Sequence, residues 1–305
     1  MVSKLAGLLL VMGLSVTSAL ASATTSPPPV LATTGMIADL AERVGGECIA
    51  VTGLMGPGVD PHLYQPSAAD VRRFQHAELV LYNGLGLEGQ LDPVLKRFGQ
   101  RRVTLAVAEA AATTGPRQTL PSADGRSVDP HVWMDPSLWV FVAEDMADVL
   151  TKALPDHADD LAHNLDSYRK ELIDLDRYAQ TCFASIPEQS RVLVTAHDAF
   201  NYFGRTFDFE VVGLQGLSTA TEAGVKDVQR ITQFIIDNNI KAVFIESSVP
   251  RRTVEALQAA VKDQNHEVNI GGELYSDALG SAGTEEGTYI GMYQHNVNTI
   301  INALK

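Results

Sequence analysis

PDHADDLAHNLDSYRKELIDLDRYAQTCFAS, residues 155–185, decides the architecture. Leu161, Leu165, Tyr168, Leu172, Leu175 and Tyr178 recur at three- and four-residue steps, the spacing of one helical face, and no strand pattern interrupts them. A helix of roughly 30 residues is about 45 Å long at 1.5 Å per residue, enough to cross a molecule of this size. The stretch therefore reads as a rigid spine between two bodies.

On either side of it, short apolar runs alternate with amphipathic stretches. Strands are expected at 30–32, 49–52, 79–82, 103–107, 191–195, 210–212, 242–245 and 268–270, and helices at 37–44, 68–76, 87–96, 225–238 and 253–264. This alternation implies α/β units with parallel sheets. Val30-Leu-Ala-Thr-Thr and Val192-Leu-Val-Thr-Ala open the two halves alike. The expected fold is two similar α/β lobes with parallel sheets joined by one long spine helix. Its parts are a signal peptide at 1–21, an N-terminal lobe at 22–154, a linking helix at 155–186 and a C-terminal lobe at 187–305.

The leader is expected from Lys4, the apolar run Leu5–Leu14 and the Ala19-Leu20-Ala21 cleavage pattern. No cysteine follows that run to accept a lipid, so a soluble periplasmic protein is expected. SATTSPPP (22–29) reads as an irregular lead-in. A formal net charge of −14 argues against nucleic acid and anionic membranes as partners. Cys48 and Cys182, the only cysteines, lie in different halves outside any CxxC pattern and are read as structural, with pairing left open.

Chemistry concentrates in a repeat. VDPHLYQP (59–66) and VDPHVWMDP (128–136) open with the same four residues. Proline fixes φ in the turn that presents each histidine. His197 ends the run VLVTAH, and Asp277 lies in GGELYSDALG, both where loops at strand carboxyl ends border a crevice. Imidazole nitrogens and a carboxylate oxygen suit Zn²⁺, Mn²⁺ and Fe²⁺. Asp60 or Asp129 is a candidate to hold the other nitrogen of its histidine ring. Taken singly, a DPH is a polar turn, His197 a strand-end histidine and Asp277 a helix cap. The pattern alone leaves the two readings level.

The strings GLMGPGVDPHLYQPSAADV, VDPHVWMDP, VLVTAHDAFNYF, GLQGLSTATEAG, FIESSVP and IGGELYSDALG occur in order over nearly all of the chain beyond the leader. Together they resemble the TroA-type family of metal-binding solute-binding proteins of ABC importers. The resemblance implies His62, His131, His197 and Asp277 as metal ligands, and two lobes joined by a long helix. It also implies a monomeric protein that captures a divalent transition metal and delivers it to an ABC transporter membrane permease. Some family members carry glutamate in place of His197, a change associated with manganese or iron. Three histidines here lean toward zinc. The segment 113–127 has no histidine, unlike the His-rich loop of dedicated zinc importers, and manganese ranks close behind.

The alternative is a zinc-dependent hydrolase with Asp277 as general base. A catalytic zinc keeps an open position, and no HExxH or Gly-x-Ser-x-Gly motif is present. His76, His157, His163, His266 and His295 are expected to serve surface or packing roles. Tyr64 and Trp133 are read as cleft walls or core. Glu222 and Glu246 are possible supports for the ligands, and Glu246, following an apolar strand, needs a partner.

Overall fold

The computed structural model describes residues 26–114, 119–122 and 125–305. The expected leader, and the 115–118 and 123–124 parts of the segment at 113–127, lie outside them. The first lobe holds four parallel strands, β1 (Pro29–Ala32), β2 (Ala50–Gly53), β3 (Leu79–Tyr82) and β4 (Val103–Ala106), in the order β2-β1-β3-β4. Its helices are α1 (Gly35–Gly45), α2 (Ala68–His76), α3 (Asp92–Gly99) and α4 (Glu109–Thr114). Successive strand side chains point to opposite faces, and the core divides accordingly. Val30, Ala32, Leu79 and Leu81 join the large central core, while Leu31 and Val80 pack with Phe74 and Leu95 in a smaller one. The central strands β1 and β3 are covered on both faces and almost uniformly apolar, as buried parallel strands require, whereas the edge strands β2 and β4 are partly exposed.

The sequence expectation of a helix at 87–96 is corrected here: α3 begins only at Asp92. Gly84, Leu85 and Gly86 all have positive φ, and the turn they make folds Glu88 inward. Its carboxylate accepts from Thr33 Oγ1 at 2.7 Å, Asn83 N at 2.7 Å and Gly84 N at 3.2 Å. These bonds oppose the cost of burying the charge, and they hold the segment out of helical geometry.

Two helices follow, α5 (Pro136–Ala153) and α6 (Ala158–Phe183). The spine is α6, 26 residues and about 39 Å long. It is shorter than the sequence pattern implied because 155–157 form a 3-10 turn. Leu161, Tyr168, Leu172, Leu175, Ala179 and Phe183 are its buried stripe. α5 packs along it, an element the helical periodicity did not mark. Asp135 caps α5 by accepting from Ser137 N at 2.9 Å, with Pro136 at the first helical position.

The second lobe comprises β5 (Val192–His197), α7 (Asn201–Phe207), β6 (Glu210–Gln215), α8 (Val225–Asp237), β7 (Ala242–Glu246), α9 (Arg252–Asp263), β8 (Asn269–Leu274) and α10 (Tyr289–Leu304). β5 pairs with β6 and β7 with β8, both in parallel, and β5 lies beside β7. Val194, Ala196, Val243 and Ile245 face α8 and α9 in the lobe's own core. Leu193, Ala242 and Phe244 instead join the central core with α5, α6, α7 and α10. Gly272 sits at φ 145°, where a Cβ would meet Thr299 Cγ2 at 2.5 Å, so α10 lies directly on this strand. The central core is thus continuous from the first lobe through the spine to the second. No helix among the described residues is long and apolar enough to cross a membrane.

Candidate metal centre

His62 follows β2, His131 precedes α5, His197 is the last residue of β5, and Asp277 follows β8. The four side chains meet. One donor atom from each lies within 4.8 Å of all the others. Asp277 Oδ2 is 3.1 Å from His197 Nε2 and 3.5 Å from His62 Nε2, and Oδ1 is 3.5 Å from His131 Nε2. The ring centroids are 5.3–5.8 Å apart. A tetrahedral ion with bonds of 2.0–2.1 Å separates its ligands by about 3.4 Å, and these distances match that edge.

Burial is nearly complete, with relative exposures of 4% for His62, 1% for Asp277 and zero for His131 and His197. The three Nε2 atoms and both Asp277 oxygens have no hydrogen-bond partner among the described residues. Five buried polar atoms aimed at one point without partners are costly unless something bonds to them all.

The supporting contacts set which nitrogen faces inward. His197 Nδ1 lies 2.6 Å from Glu246 Oε2, while its backbone N–H donates to Oε1 at 2.9 Å. His131 Nδ1 lies 2.7 Å from Asp129 Oδ1, which also accepts from the His131 backbone at 3.0 Å. A carboxylate can only accept, so Nδ1 carries a proton on both rings, and in the neutral form of each ring the Nε2 lone pair points at the site. Glu246 therefore has the partner its position demanded. Asp60, although it stands in the same VDPH motif as Asp129, binds the His62 backbone at 2.8 Å and not the ring. Its second oxygen accepts from Thr219 Oγ1 at 2.5 Å, reaching the second lobe.

Charge follows from burial and neighbours. Burial lowers His62 to about 4, against the opposing pull of Asp277. At His197 burial also pulls downward, but the Glu246 and Asp277 carboxylates outweigh it and raise the ring well above its ordinary value. Burial would raise Asp277, yet the three imidazoles hold it far below the usual carboxylate range. The carboxylate stays ionised and is the negatively charged donor of the cluster.

Trp133 lies against the centre, its ring 5.2 Å from that of His131, and its indole N–H donates to Ser276 O at 3.0 Å. Tyr64 takes the core alternative: it packs against the cluster of Leu31, Met55 and Phe74 while its hydroxyl donates to Asp70 at the start of α2. Glu222 is exposed. His76, His157, His163, His266 and His295 are outside the cluster. Cys48 and Cys182 are both free thiols, so the open question of their pairing is answered in the negative. Thr219 had no sequence signal, since a threonine in a loop acquires its meaning only from the carboxylate across the cleft.

Residues 30–303 match the family model described as zinc-uptake complex component A, periplasmic. The manganese-binding lipoprotein MntA of Bacillus subtilis is 48% identical over 276 residues, covering 90% of this chain and 89% of its own. The zinc-binding protein TroA of Treponema pallidum is 46% identical over 277 residues, covering 91% and 89%. The solved structure of that periplasmic zinc-binding protein superposes with a TM-score of 0.88 at 45% identity, over 91% of this chain and 99% of the other. A metal ABC transporter substrate-binding lipoprotein of Streptococcus sanguinis, SsaB, is 26% identical over 288 residues, covering 93% and 91%.

Proposed function

The chain belongs to the family of zinc-uptake complex component A periplasmic proteins, and from that premise we propose that it captures a divalent transition metal outside the cytoplasmic membrane and hands it to an ABC transporter permease. The ligands in this reading are His62, His131, His197 and Asp277. The observation that carries it is the convergence of five buried, unpartnered donor atoms on one point.

Zinc is the first cargo in this proposal, since three imidazoles and one carboxylate at tetrahedral spacing suit it. Manganese is second. Both oxygens of Asp277 face the centre, so a bidentate carboxylate raises the donor count to five, which an ion of higher coordination number accepts. The relatives with zinc-binding and manganese-binding names are almost equally similar to this chain.

The protein binds and does not catalyse: with Asp277 among the donors, four protein ligands close the position that a hydrolytic zinc would keep for water. We further read it as a monomer, delivered to the periplasm by a cleaved leader at 1–21. Its lobes are residues 22–154 and 187–305, with the linking helix at 155–186 between them.

The test is a competitive titration with zinc and manganese, read by elemental analysis after dialysis, on the parent and on His131→Ala. The parent is expected to retain one tightly held equivalent more than the variant, with a rise in Tm on loading that the variant lacks. Equal retention of metal by the two proteins would remove the four-ligand site.

A further inference from the structure

A second set of metal-binding side chains converges where the spine begins. Cys48 closes the 3-10 turn Gly46–Cys48 at the end of α1, His157 closes the 3-10 turn Pro155–His157, and Asp160 stands in the first turn of α6. A donor atom from each lies within 4.8 Å of the other two. His157 Nδ1 and Asp160 Oδ2 are 3.6 Å apart. Ligand edges on tetrahedral zinc are about 3.4 Å between nitrogen and oxygen and slightly longer to sulfur, given bonds of 2.0–2.2 and 2.3 Å. The carboxylate–imidazole edge is already near that length, and the remaining closure is within side-chain rotation.

The burial pattern suits a surface site with a thiol floor. Cys48 is 6% exposed, whereas the His157 and Asp160 side chains are 48% and 72% exposed and free to turn onto an ion above it. Solvent supplies the fourth ligand. The positive end of α6 opposes a cation here, but Asp156, Asp159 and Glu47 add negative charge around the same turn. Burial, then Asp160 and Glu47, raise the Cys48 thiol above its ordinary value, so the sulfur keeps its proton until a cation displaces it.

We propose that Cys48, His157 and Asp160 form a second, solvent-open metal site that takes zinc or another thiophilic divalent ion, discriminates against manganese, and ties the start of α6 to the end of α1. Thiolate and imidazole select zinc, cobalt and their neighbours, while manganese prefers oxygen donors. On binding, the Cys48 proton leaves to solvent and the thiolate sulfur donates its pair to the ion. This site does not depend on the reading of the buried centre, which contains no sulfur.

That difference supplies the test. The full chain, reduced, is titrated with cobalt(II) chloride and followed in the near ultraviolet, where only a thiolate ligand gives charge-transfer absorption. The expected result is a second equivalent carrying this band, bleached by zinc chloride and untouched by manganese chloride. The band should disappear in Cys48→Ala and His157→Ala, and persist in Cys182→Ala and in His131→Ala. His157 is exposed, so its variant tests the site without disturbing the buried thiol's packing. Absence of the band in the parent, its survival in Cys48→Ala, or unchanged cobalt affinity of the second equivalent in His157→Ala would each overturn the proposal.

Discussion

Replacing Glu246 with glutamine should weaken metal binding about 10- to 100-fold, although the residue never touches the ion. The Glu246 carboxylate accepts two hydrogen bonds from one residue, His197 N–H at 2.9 Å and Nδ1 at 2.6 Å. Glutamine keeps one acceptor oxygen and gains a donor NH₂. If the oxygen stays on Nδ1–H, the NH₂ faces the backbone N–H. If it stays on the backbone, the NH₂ faces Nδ1 and forces that nitrogen to accept, which places the proton on Nε2 and removes the lone pair a metal needs. Either arrangement leaves a buried conflict beside the centre, and loss of the negative charge adds to it. Partners of metal-bound histidines typically contribute 10- to 100-fold in affinity, or about 1.4–2.8 kcal/mol. The neutral amide also relieves His197 of proton competition, an opposing effect that shrinks as pH rises. The assay is therefore chelator competition on the alkaline side of neutrality, paired with the metal-induced rise in Tm. Asp129→Asn is the internal control. Its Oδ1 already serves both His131 donors, and its Oδ2 meets the Asn201 amide at 3.1 Å, a contact away from the ring whose loss leaves that amide its bond to Asp198 O at 3.2 Å. The loss should be clearly smaller than for Glu246→Gln. Parent-like affinity in Glu246→Gln, or a larger loss in Asp129→Asn, would refute the tautomer argument.

Metal affinity should fall as pH falls, beginning above the ordinary histidine value of 6.5, because the Glu246 and Asp277 carboxylates overcome burial and favour the proton on His197; isothermal titration at several pH values measures it. Thr219→Val removes the hydrogen bond to Asp60 and should speed metal release severalfold, read by stopped-flow transfer to a chelator, with little change in the folded state's Tm without metal. Burial raises Asp39 to about 6, so the folded state binds its proton more tightly than the unfolded chain does. That contribution is complete below about pH 4 and is lost as pH rises through about 6, so Asp39→Asn should gain on the parent toward neutral pH, by up to about 3 kcal/mol in denaturant melts. Leu172→Ala on the spine should cost about 2–5 kcal/mol in the same melts.

The expected strands and the α2, α8 and α9 stretches were legible because each has a single dominant period. α5 was not: Leu138, Trp139, Val142, Ala143, Met146 and Ala147 share one buried face, but Val140 and Phe141 beyond it are apolar and pack on the core as well, so no polar face sets the stripe off. α10, lying on β8 and the spine, was missed as well. The premature start assigned to the helix at 87–96 came from an apolar pattern that Glu88 overrides with three long-range or turn hydrogen bonds. The four candidate ligands were nameable because each stands at a strand end or in a repeated turn. What supports them was only partly so. The two VDPH segments are identical locally, yet Asp129 grips its histidine ring and Asp60 reaches Thr219, a difference set by what each aspartate meets across the cleft.

The same difference makes the site mechanically unequal. The segment carrying His131 is stitched to the second half of the chain at many points. Tyr202 Oη donates to Asp129 O at 2.9 Å, Trp133 to Ser276 O, Tyr289 Oη to Trp133 O at 2.6 Å and Tyr293 Oη to Met134 O at 2.8 Å, and Arg205 pairs with Asp135 at 3.1 Å. All but the last are to backbone carbonyls or from a buried indole, so moving His131 away from His197 and Asp277 would break several buried hydrogen bonds at once. His62 is held differently. Its loop approaches the second half where Gly58, at φ 68°, leaves just 3.3 Å between an added Cβ and Ser247 O, and among the described residues its one side-chain hydrogen bond across is from Thr219 to Asp60. Three donors therefore stand in a fixed frame and the fourth sits on a loop with a single latch. The core is continuous around α6, and the Thr219 hydrogen bond to Asp60 is the side-chain contact through which the second lobe holds the His62 loop.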